Sequence, residues 1–130
     1  MIEASCHCGA VRLTMARAPD AVTDCNCSIC RRLGALWAYY DPADVRLLAP
    51  EMALESYVRR DGSADLAFRR CRTCGCTVDL RPLAGRDPGR MGVNARLLPA
   101  EILAAAHVRR LDGAAWTPSE TPPPAAPWPP

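Results

Sequence analysis

Eight of the 130 residues are cysteines, and they fall into three short-spaced groups. The groups are Cys6 with Cys8, then Cys25, Cys27 and Cys30, then Cys71, Cys74 and Cys76. In a reducing compartment, cysteines this dense are metal ligands more often than disulfide partners. Residues 1–5 include Glu3 and no apolar run typical of a signal peptide, so we expect a cytoplasmic protein. The spacing therefore predicts a zinc protein rather than a secreted disulfide scaffold.

Composition limits both the core and the class of partner. The length of 130 residues predicts one domain. Only 5% of the residues are aromatic, so the hydrophobic core should be small, and a bound metal ion would help to stabilise it. All 16 basic residues are Arg, scattered mostly as pairs, and the formal net charge is +2. Seven thiolates on two zinc ions would lower the net charge of the zinc-loaded protein to about −1. We therefore expect no nucleic-acid partner. No apolar run approaches a membrane span.

Short alternating or apolar segments between Gly and Pro residues predict an all-β domain with one or two short helices. The predicted strands are 11–15, 21–24, 37–40, 45–48, 54–58, 67–70, 77–80 and 91–95. We expect one helix that is capped by Ser28 and ends at Gly34, and a second over 99–106. The chain then divides into a zinc-binding domain, 1–116, and a tail, 117–130, that contains seven prolines.

Two segments place paired cysteines on a tight turn before a glycine. They read Cys6-His7-Cys8-Gly9 and Cys71-Arg72-Thr73-Cys74-Gly75, and an alternating strand follows each. A glycine there lets the chain reverse so that backbone N–H groups point at the sulfurs. Two such turns facing each other predict a closed, tetrahedral zinc site that stabilises the fold. We expect the ring of His7 to point away from the metal.

The central group, Cys25-x-Cys27-x-x-Cys30, predicts a different kind of site. Three sulfurs converge with no obvious fourth ligand nearby, and three protein ligands with an open position are typical of a catalytic zinc. In one alternative, Cys76 or Asp24 supplies the fourth ligand and closes the site. In another, the three cysteines hold no metal or are oxidised.

These motifs together resemble the glutathione-dependent formaldehyde-activating enzyme family, which includes centromere protein V. The resemblance extends from about residue 2 to residue 116 and rests on segments 5–11, 25–32, 71–75 and 93–96. It implies a β-tent fold of curved antiparallel sheets. It also implies a structural zinc shared by the CxC and CxxC pairs, which here are Cys6, Cys8, Cys71 and Cys74. The CxCxxC motif of the family holds the catalytic zinc, and that motif corresponds here to Cys25, Cys27 and Cys30.

The resemblance implies a zinc-dependent carbon–sulfur lyase-like enzyme acting on a small thiol adduct, such as glutathione plus formaldehyde giving S-hydroxymethylglutathione. A coordinating thiol is deprotonated by its metal, which favours its addition to a carbonyl. Arg31 and Arg32, next to the three cysteines, are candidates to attract the glutathione carboxylates, or they form an ordinary solvated face. The alternative function is a non-enzymatic zinc-binding module for a protein partner, with the Pro-rich tail as its docking segment.

Overall fold

A computed structural model describes residues 1–59, 66–83 and 89–115 of the chain, and the predicted tail lies outside these ranges. The described residues form a small, mostly β domain with two short helices. The strands are β1 (Ile2–Ser5), β2 (Arg12–Met15), β3 (Ala21–Cys25), β4 (Trp37–Tyr40), β5 (Val45–Leu47), β6 (Leu54–Val58), β7 (Leu66–Cys71), β8 (Thr77–Pro82), β9 (Met91–Asn94) and β10 (His107–Leu111). The helices are α1 (Cys30–Leu33) and α2 (Ala100–Ala105).

The strands form two sheets. The smaller has the order β1-β2-β5, and the larger has the order β10-β3-β4-β9-β8-β7-β6. Neighbouring strands are antiparallel except β10, which runs parallel to β3 with His107 opposite Ala21 and Leu111 opposite Cys25. A parallel pair needs a long crossover between its strands, and here the whole chain from β4 to α2 provides it. The antiparallel architecture that the resemblance implied therefore has one parallel pair at its edge.

All eight predicted strands are present, with ends within two residues of the predicted ones. The sequence analysis missed β1 and β10, which are recognisable mainly by their pairing with β2 and β3. Gly34 ends α1 in the left-handed conformation, as predicted, with φ of 65°. The predicted Ser28 cap is wrong: α1 begins at Cys30, its cap position is Ile29, and no side chain bonds there.

The larger sheet separates two hydrophobic cores. Side chains alternate between the faces of a strand, so Ala38 and Tyr40 of β4 pack in the first core and Trp37 and Tyr39 in the second. The first core contains Leu13 and Met15 of the smaller sheet, together with further side chains from the larger sheet. The second core is smaller and contains Trp37, Phe68, Leu80, Cys25 and Cys30. The two cores thus hold different cysteines.

Gly92 makes room for the central side chain of the second core. A Cβ added at Gly92 would lie 2.9 Å from Leu80 Cγ and 3.2 Å from Trp37 Cε3. Trp37 is fully buried, and its ring packs on Phe68 with centroids 6.1 Å apart and planes tilted by 57°. A residue larger than glycine at position 92 would therefore displace Trp37 or Leu80.

A buried ion pair joins β7 and β8, the two strands that flank the second cysteine turn. Asp79 is fully buried and accepts hydrogen bonds from Arg69 Nε at 2.7 Å and Arg69 Nη2 at 2.6 Å. Arg81 Nε donates to the same carboxylate at 3.1 Å. A desolvated charge pair of this kind is retained only when its hydrogen bonds are satisfied, as they are here.

Among the described residues, neither helix is long enough to cross a membrane.

Candidate metal centres

The first group of cysteines brings together the two predicted turns. The Sγ atoms of Cys6, Cys8, Cys71 and Cys74 all lie within 4.8 Å of one another. Cys6 and Cys8 Sγ are 3.6 Å apart, and so are Cys8 and Cys71 Sγ. Four sulfurs at about 2.3 Å from a tetrahedral zinc would be separated by about 3.8 Å. We call these four residues the first cluster; its spacing and its all-sulfur donor set fit a structural metal.

In each turn of the first cluster, the glycine N–H donates to the carbonyl of the first cysteine of that turn. Gly9 N donates to Cys6 O at 3.1 Å, and Gly75 N donates to Cys71 O at 2.9 Å. Both glycines have positive φ, 80° and 78°, and a Cβ on either would meet nothing within 4 Å. Glycine is therefore required at both positions by the backbone conformation and not by lack of space.

Backbone N–H groups stabilise the thiolates of the second turn, as the sequence predicts. Those of Cys76 and Cys8 lower the pKa of Cys74 to about 5. Those of Cys74 and Thr73 lower the pKa of Cys71. Val11 N also points at Cys6 Sγ, 3.3 Å away. A thiol whose thiolate form is stabilised by such hydrogen bonds loses its proton readily when a metal binds.

Cys76 and His7 lie beside the first cluster but are not members of it. The carbonyl of Cys76 accepts from Cys71 N at 2.9 Å, and His7 is exposed. The non-ligating position of His7 agrees with the prediction. Because Cys76 lies beside the first cluster, it does not supply a fourth ligand to Cys25, Cys27 and Cys30, as one alternative from the sequence had it.

The second cluster consists of Cys25, Cys27 and Cys30, whose Sγ atoms also lie within 4.8 Å of one another. Cys25 ends β3, Cys27 follows in the turn, and Cys30 begins α1. Across the part of the chain that the structure describes, no fourth Cys, His, Asp or Glu joins this group. Asp24 does not belong to it, because neighbouring residues of a strand point to opposite faces. Within the described ranges, the donor set is therefore three sulfurs.

The three sulfurs of the second cluster differ in exposure. Cys25 and Cys30 are each 7% exposed, whereas Cys27 is half-buried. Trp37 Nε1 donates to Cys30 Sγ at 3.2 Å. The N–H groups of Cys27 and Cys30 point at the sulfurs of Cys25 and Cys27 respectively, each at 3.5 Å. Cys30 is therefore covered by the second core, and Cys27 is the member nearest to solvent.

The proximity of three sulfurs concentrates negative charge on one of them. Hydrogen bonds from the side chains of Cys25 and Cys30 lower the pKa of Cys27 to about 2. The same contacts with Cys25 and Cys27, together with burial, raise the pKa of Cys30. Without a cation the cluster thus favours one thiolate shared with two thiols, and a divalent ion would replace the remaining protons.

A segment that the sequence analysis did not identify packs on the second cluster. We call residues 111–114 the strap. Asn26, between the first two cysteines, donates from Nδ2 to Asp112 Oδ1 at 2.9 Å and accepts on Oδ1 from Ala114 N at 2.9 Å. A Cβ at Gly113 would lie only 2.5 Å from Cys25 Sγ. Nothing in the spacing of the cysteines indicates this contact, which joins residues 86 and 88 positions apart.

Arg31 and Arg32 are exposed on α1, beside Cys30 in sequence. Arg32 Nη1 donates to Ser28 O at 2.7 Å, so part of its donor capacity stabilises the turn before the helix. Both residues directly follow Cys30 in the sequence, but their side chains are not part of the second hydrophobic core.

The segment 93–96, part of the resemblance, connects α1 to the larger sheet. Buried Asn94 accepts on Oδ1 from Leu36 N at 3.4 Å and donates from Nδ2 to Thr77 O at 2.9 Å. Arg96 Nε donates to Gly34 O at 2.7 Å, at the end of α1. These two residues position the helix that carries Cys30.

The comparisons with known proteins agree with the motifs. The sequence model of a protein family described as glutathione-dependent formaldehyde-activating enzyme matches residues 1–109. The fold is similar to the crystal structure of a protein from Rhodobacter sphaeroides, with a TM-score of 0.66 and 28% sequence identity. That match covers 82% of this chain and 99% of the other. All seven cysteines of the two clusters lie within the matched residues, and the strap lies just beyond them.

Proposed function

Because this chain belongs to the glutathione-dependent formaldehyde-activating enzyme family, we propose that it is a zinc-dependent, carbon–sulfur lyase-like enzyme that joins a small thiol to an aldehyde. Glutathione and formaldehyde are the substrates that the family description suggests, and S-hydroxymethylglutathione would be the product. In that reaction the thiol sulfur bonds to the carbonyl carbon, and the carbonyl oxygen takes up a proton in place of the one that the thiol releases.

One observation chiefly supports this proposal: three sulfurs converge, and none of the residues that the structure describes adds a fourth ligand. Catalytic zinc sites commonly have three protein ligands and leave one position for water or substrate. We assign that role to Cys25, Cys27 and Cys30, which would hold a catalytic zinc. The first cluster would hold a structural zinc through Cys6, Cys8, Cys71 and Cys74, because four sulfurs leave no position free.

Each part of the second cluster would contribute to the reaction. Bound zinc would supply a Lewis acid that favours the thiolate form of a substrate thiol. Trp37 donates to Cys30 Sγ and so offsets part of the negative charge of three thiolates. The half-buried position of Cys27 gives a small thiol a route to the cluster, and the buried core behind Cys30 excludes water from the other side.

Arg31 and Arg32 are our candidates for attracting the carboxylates of glutathione. Both are exposed in α1, within two residues of Cys30. Because Arg32 also donates to Ser28 O, we expect Arg31 to contribute more. An exposed guanidinium gives long-range attraction to an anionic substrate that carries two carboxylates, rather than tight binding, so its effect should weaken with salt.

The direct test measures the exchange of ¹³C-formaldehyde between its hydrated form and its glutathione adduct by NMR. We expect the zinc-loaded protein to raise the exchange rate above that of buffer, and Cys27→Ala to abolish the increase. Cys76→Ala is the matched control, because this cysteine lies outside both clusters.

An exchange rate equal to that of buffer, with both clusters loaded, would contradict the proposed reaction and favour the non-enzymatic zinc-binding module. Replacing glutathione by its amidated form tests the arginines separately. We expect the amide to need a higher concentration for half-maximal exchange, and Arg31→Gln to remove most of that difference.

A further inference from the structure

Asn26 makes three hydrogen bonds to the strap from a position between two cysteines of the second cluster. Its backbone N donates to Leu111 O at 3.2 Å. Its Nδ2 donates to Asp112 Oδ1, and its Oδ1 accepts from Ala114 N, both at 2.9 Å. These bonds use the backbone donor of Asn26 and both ends of its amide, so they fix the turn between Cys25 and Cys27 to the end of β10.

Gly113, in the middle of the strap, lies directly over the cluster. A Cβ built on it would be 2.5 Å from Cys25 Sγ, 3.2 Å from Cys27 Cβ and 3.7 Å from Cys27 N. Such contacts leave no room for a side chain, so the Gly113 backbone itself covers the Cys25 sulfur. Cys25 is only 7% exposed as a result of this contact and of its place in the second core.

The two buried sulfurs are thus covered from different sides. Gly113 packs against Cys25, and Trp37 donates to Cys30 at 3.2 Å. Cys27 is the cluster member whose side chain remains half-buried. A ligand entering the cluster would therefore approach beside Cys27, because the strap and the second core occupy the approaches to the other two sulfurs.

We infer that Asn26 is a positioning residue, which holds the strap so that Gly113 covers Cys25 and directs incoming ligands past Cys27. The entry route for the thiol substrate rests on the proposed function; the covering of Cys25 does not. The strap lies beyond the residues that match the family, so this device belongs to the part of the site that the family match does not describe. Groups that orient a metal ligand typically change metal affinity by about 10–100-fold when they are removed.

Exchanging the side chains of Asn26 and Asp112 tests the role of Asn26. Asn26→Asp places a second carboxylate against Asp112 and removes the Nδ2 group that donates to it. The double variant Asn26→Asp/Asp112→Asn restores a donor–acceptor pair with the roles reversed and keeps an acceptor for Ala114 N. Asp112→Asn alone retains an acceptor oxygen for Asn26 and serves as the matched control.

The first measurement is cobalt binding, followed by the thiolate–Co²⁺ absorption. The part of this absorption that is lost in Cys27→Ala reports binding at the second cluster. In Asn26→Asp we expect about 10-fold weaker binding or more at the second cluster, unchanged binding at the first, and recovery to within about threefold in the double variant. Gly113→Ala should weaken the same site, whereas Ala114→Ser should not, because that side chain is exposed. Equal affinity in Asn26→Asp and wild type, or no recovery in the double variant, would overturn the inference.

Limited alkylation gives a second readout that needs no metal at the second cluster. The protein is treated with less iodoacetamide than it has cysteines and then digested. Fragmentation of the peptide that contains Cys25 and Cys27 in a mass spectrometer shows which of the two was alkylated first. We expect Cys27 to react before Cys25 in the wild type, Asn26→Asp to raise the reaction of Cys25, and the double variant to lower it again. Equal reaction of both cysteines in the wild type would contradict the covering role of Gly113 even where the proposed reaction is observed.

Discussion

The two cysteine clusters lie in different cores, and they are built from different ranges of the chain. The first is made by two glycine-containing turns, whose own backbone N–H groups point at the sulfurs. The second depends on groups from elsewhere: Trp37 of β4 donates to Cys30, and the strap after β10 covers Cys25. The first cluster is therefore shaped by the backbone of the two turns that carry its four cysteines, although those turns lie 63 residues apart from Cys8 to Cys71. The second has its three cysteines within one short segment, and distant parts of the fold shape its remaining side.

The glycines show the same difference. Gly9 and Gly75 have positive φ and open space where a Cβ would be. At Gly113 and Gly92, a Cβ would instead lie within 3 Å of a neighbouring side-chain atom. Glycine therefore serves the first cluster through its backbone conformation and the second through its small size.

The largest expected effect comes from Cys71→Ser. Structural zinc sites in small domains contribute on the order of 10 kcal/mol, more than the net stability of many domains. We therefore expect this variant to lose its cooperative thermal transition, measured by far-UV circular dichroism, whereas Cys27→Ser keeps a transition within several degrees of the wild type. If the two substitutions lowered the melting temperature equally, the division into a structural and a functional cluster would fail.

Asp79→Asn should have the next largest effect. It leaves the guanidinium of Arg69, which is 7% exposed, without its buried counter-ion. Breaking a buried pair in this way typically costs about 3–5 kcal/mol, measured as the free energy of unfolding in urea. The control is Glu55→Gln, which removes an exposed pair with Arg70 and should cost about 1 kcal/mol or less. Similar losses in both variants would contradict a stabilising role for the buried pair beside the second turn.

Two substitutions on β4 compare the cores within a single strand. Trp37→Phe removes the N–H that donates to Cys30 and leaves space in the second core, so it should cost about 1–3 kcal/mol and weaken cobalt binding at the second cluster. Tyr40→Phe removes the hydrogen bond to Arg17 O in the first core and should cost about 1 kcal/mol with both cobalt sites intact. Equal cobalt affinities in the two variants would argue against the role of Trp37.

Gly75→Ala should have a smaller effect than the changes at Cys71 and Asp79. A residue with a Cβ at φ of 78° costs about 1–2 kcal/mol in backbone strain, without any clash. Gly75→Asn should cost less, because Asn adopts this conformation more readily. We expect urea denaturation to rank the variants in that order; a larger loss with Asn than with Ala would show that space, not conformation, selects the glycine.

The contrast between the clusters also explains how much the sequence could predict. The three groups of cysteines, eight of the ten strands in the described residues and Gly34 are local features, and short spacings with alternation are enough to find them. The single parallel pair, the strap and the Trp37 contact join residues that are distant in sequence or on different elements. No pattern of residue types encodes them, because they form only in the folded chain. The parallel pair and the strap contacts need β10 beside β3, and the Trp37 contact needs β4 beside α1. The Ser28 cap is wrong for a smaller reason, because α1 begins at Cys30, one residue later than a helix capped by Ser28 would.

Native mass spectrometry tests the central claim most directly, because it counts zinc ions and bound glutathione on the same intact chain. We expect the wild type to carry two zinc ions and to bind one glutathione. Cys27→Ala should carry one zinc and bind none, since only the three-cysteine cluster has a position for a thiol. One zinc in both proteins, with glutathione binding that does not depend on Cys27, would contradict an open zinc site at Cys25, Cys27 and Cys30.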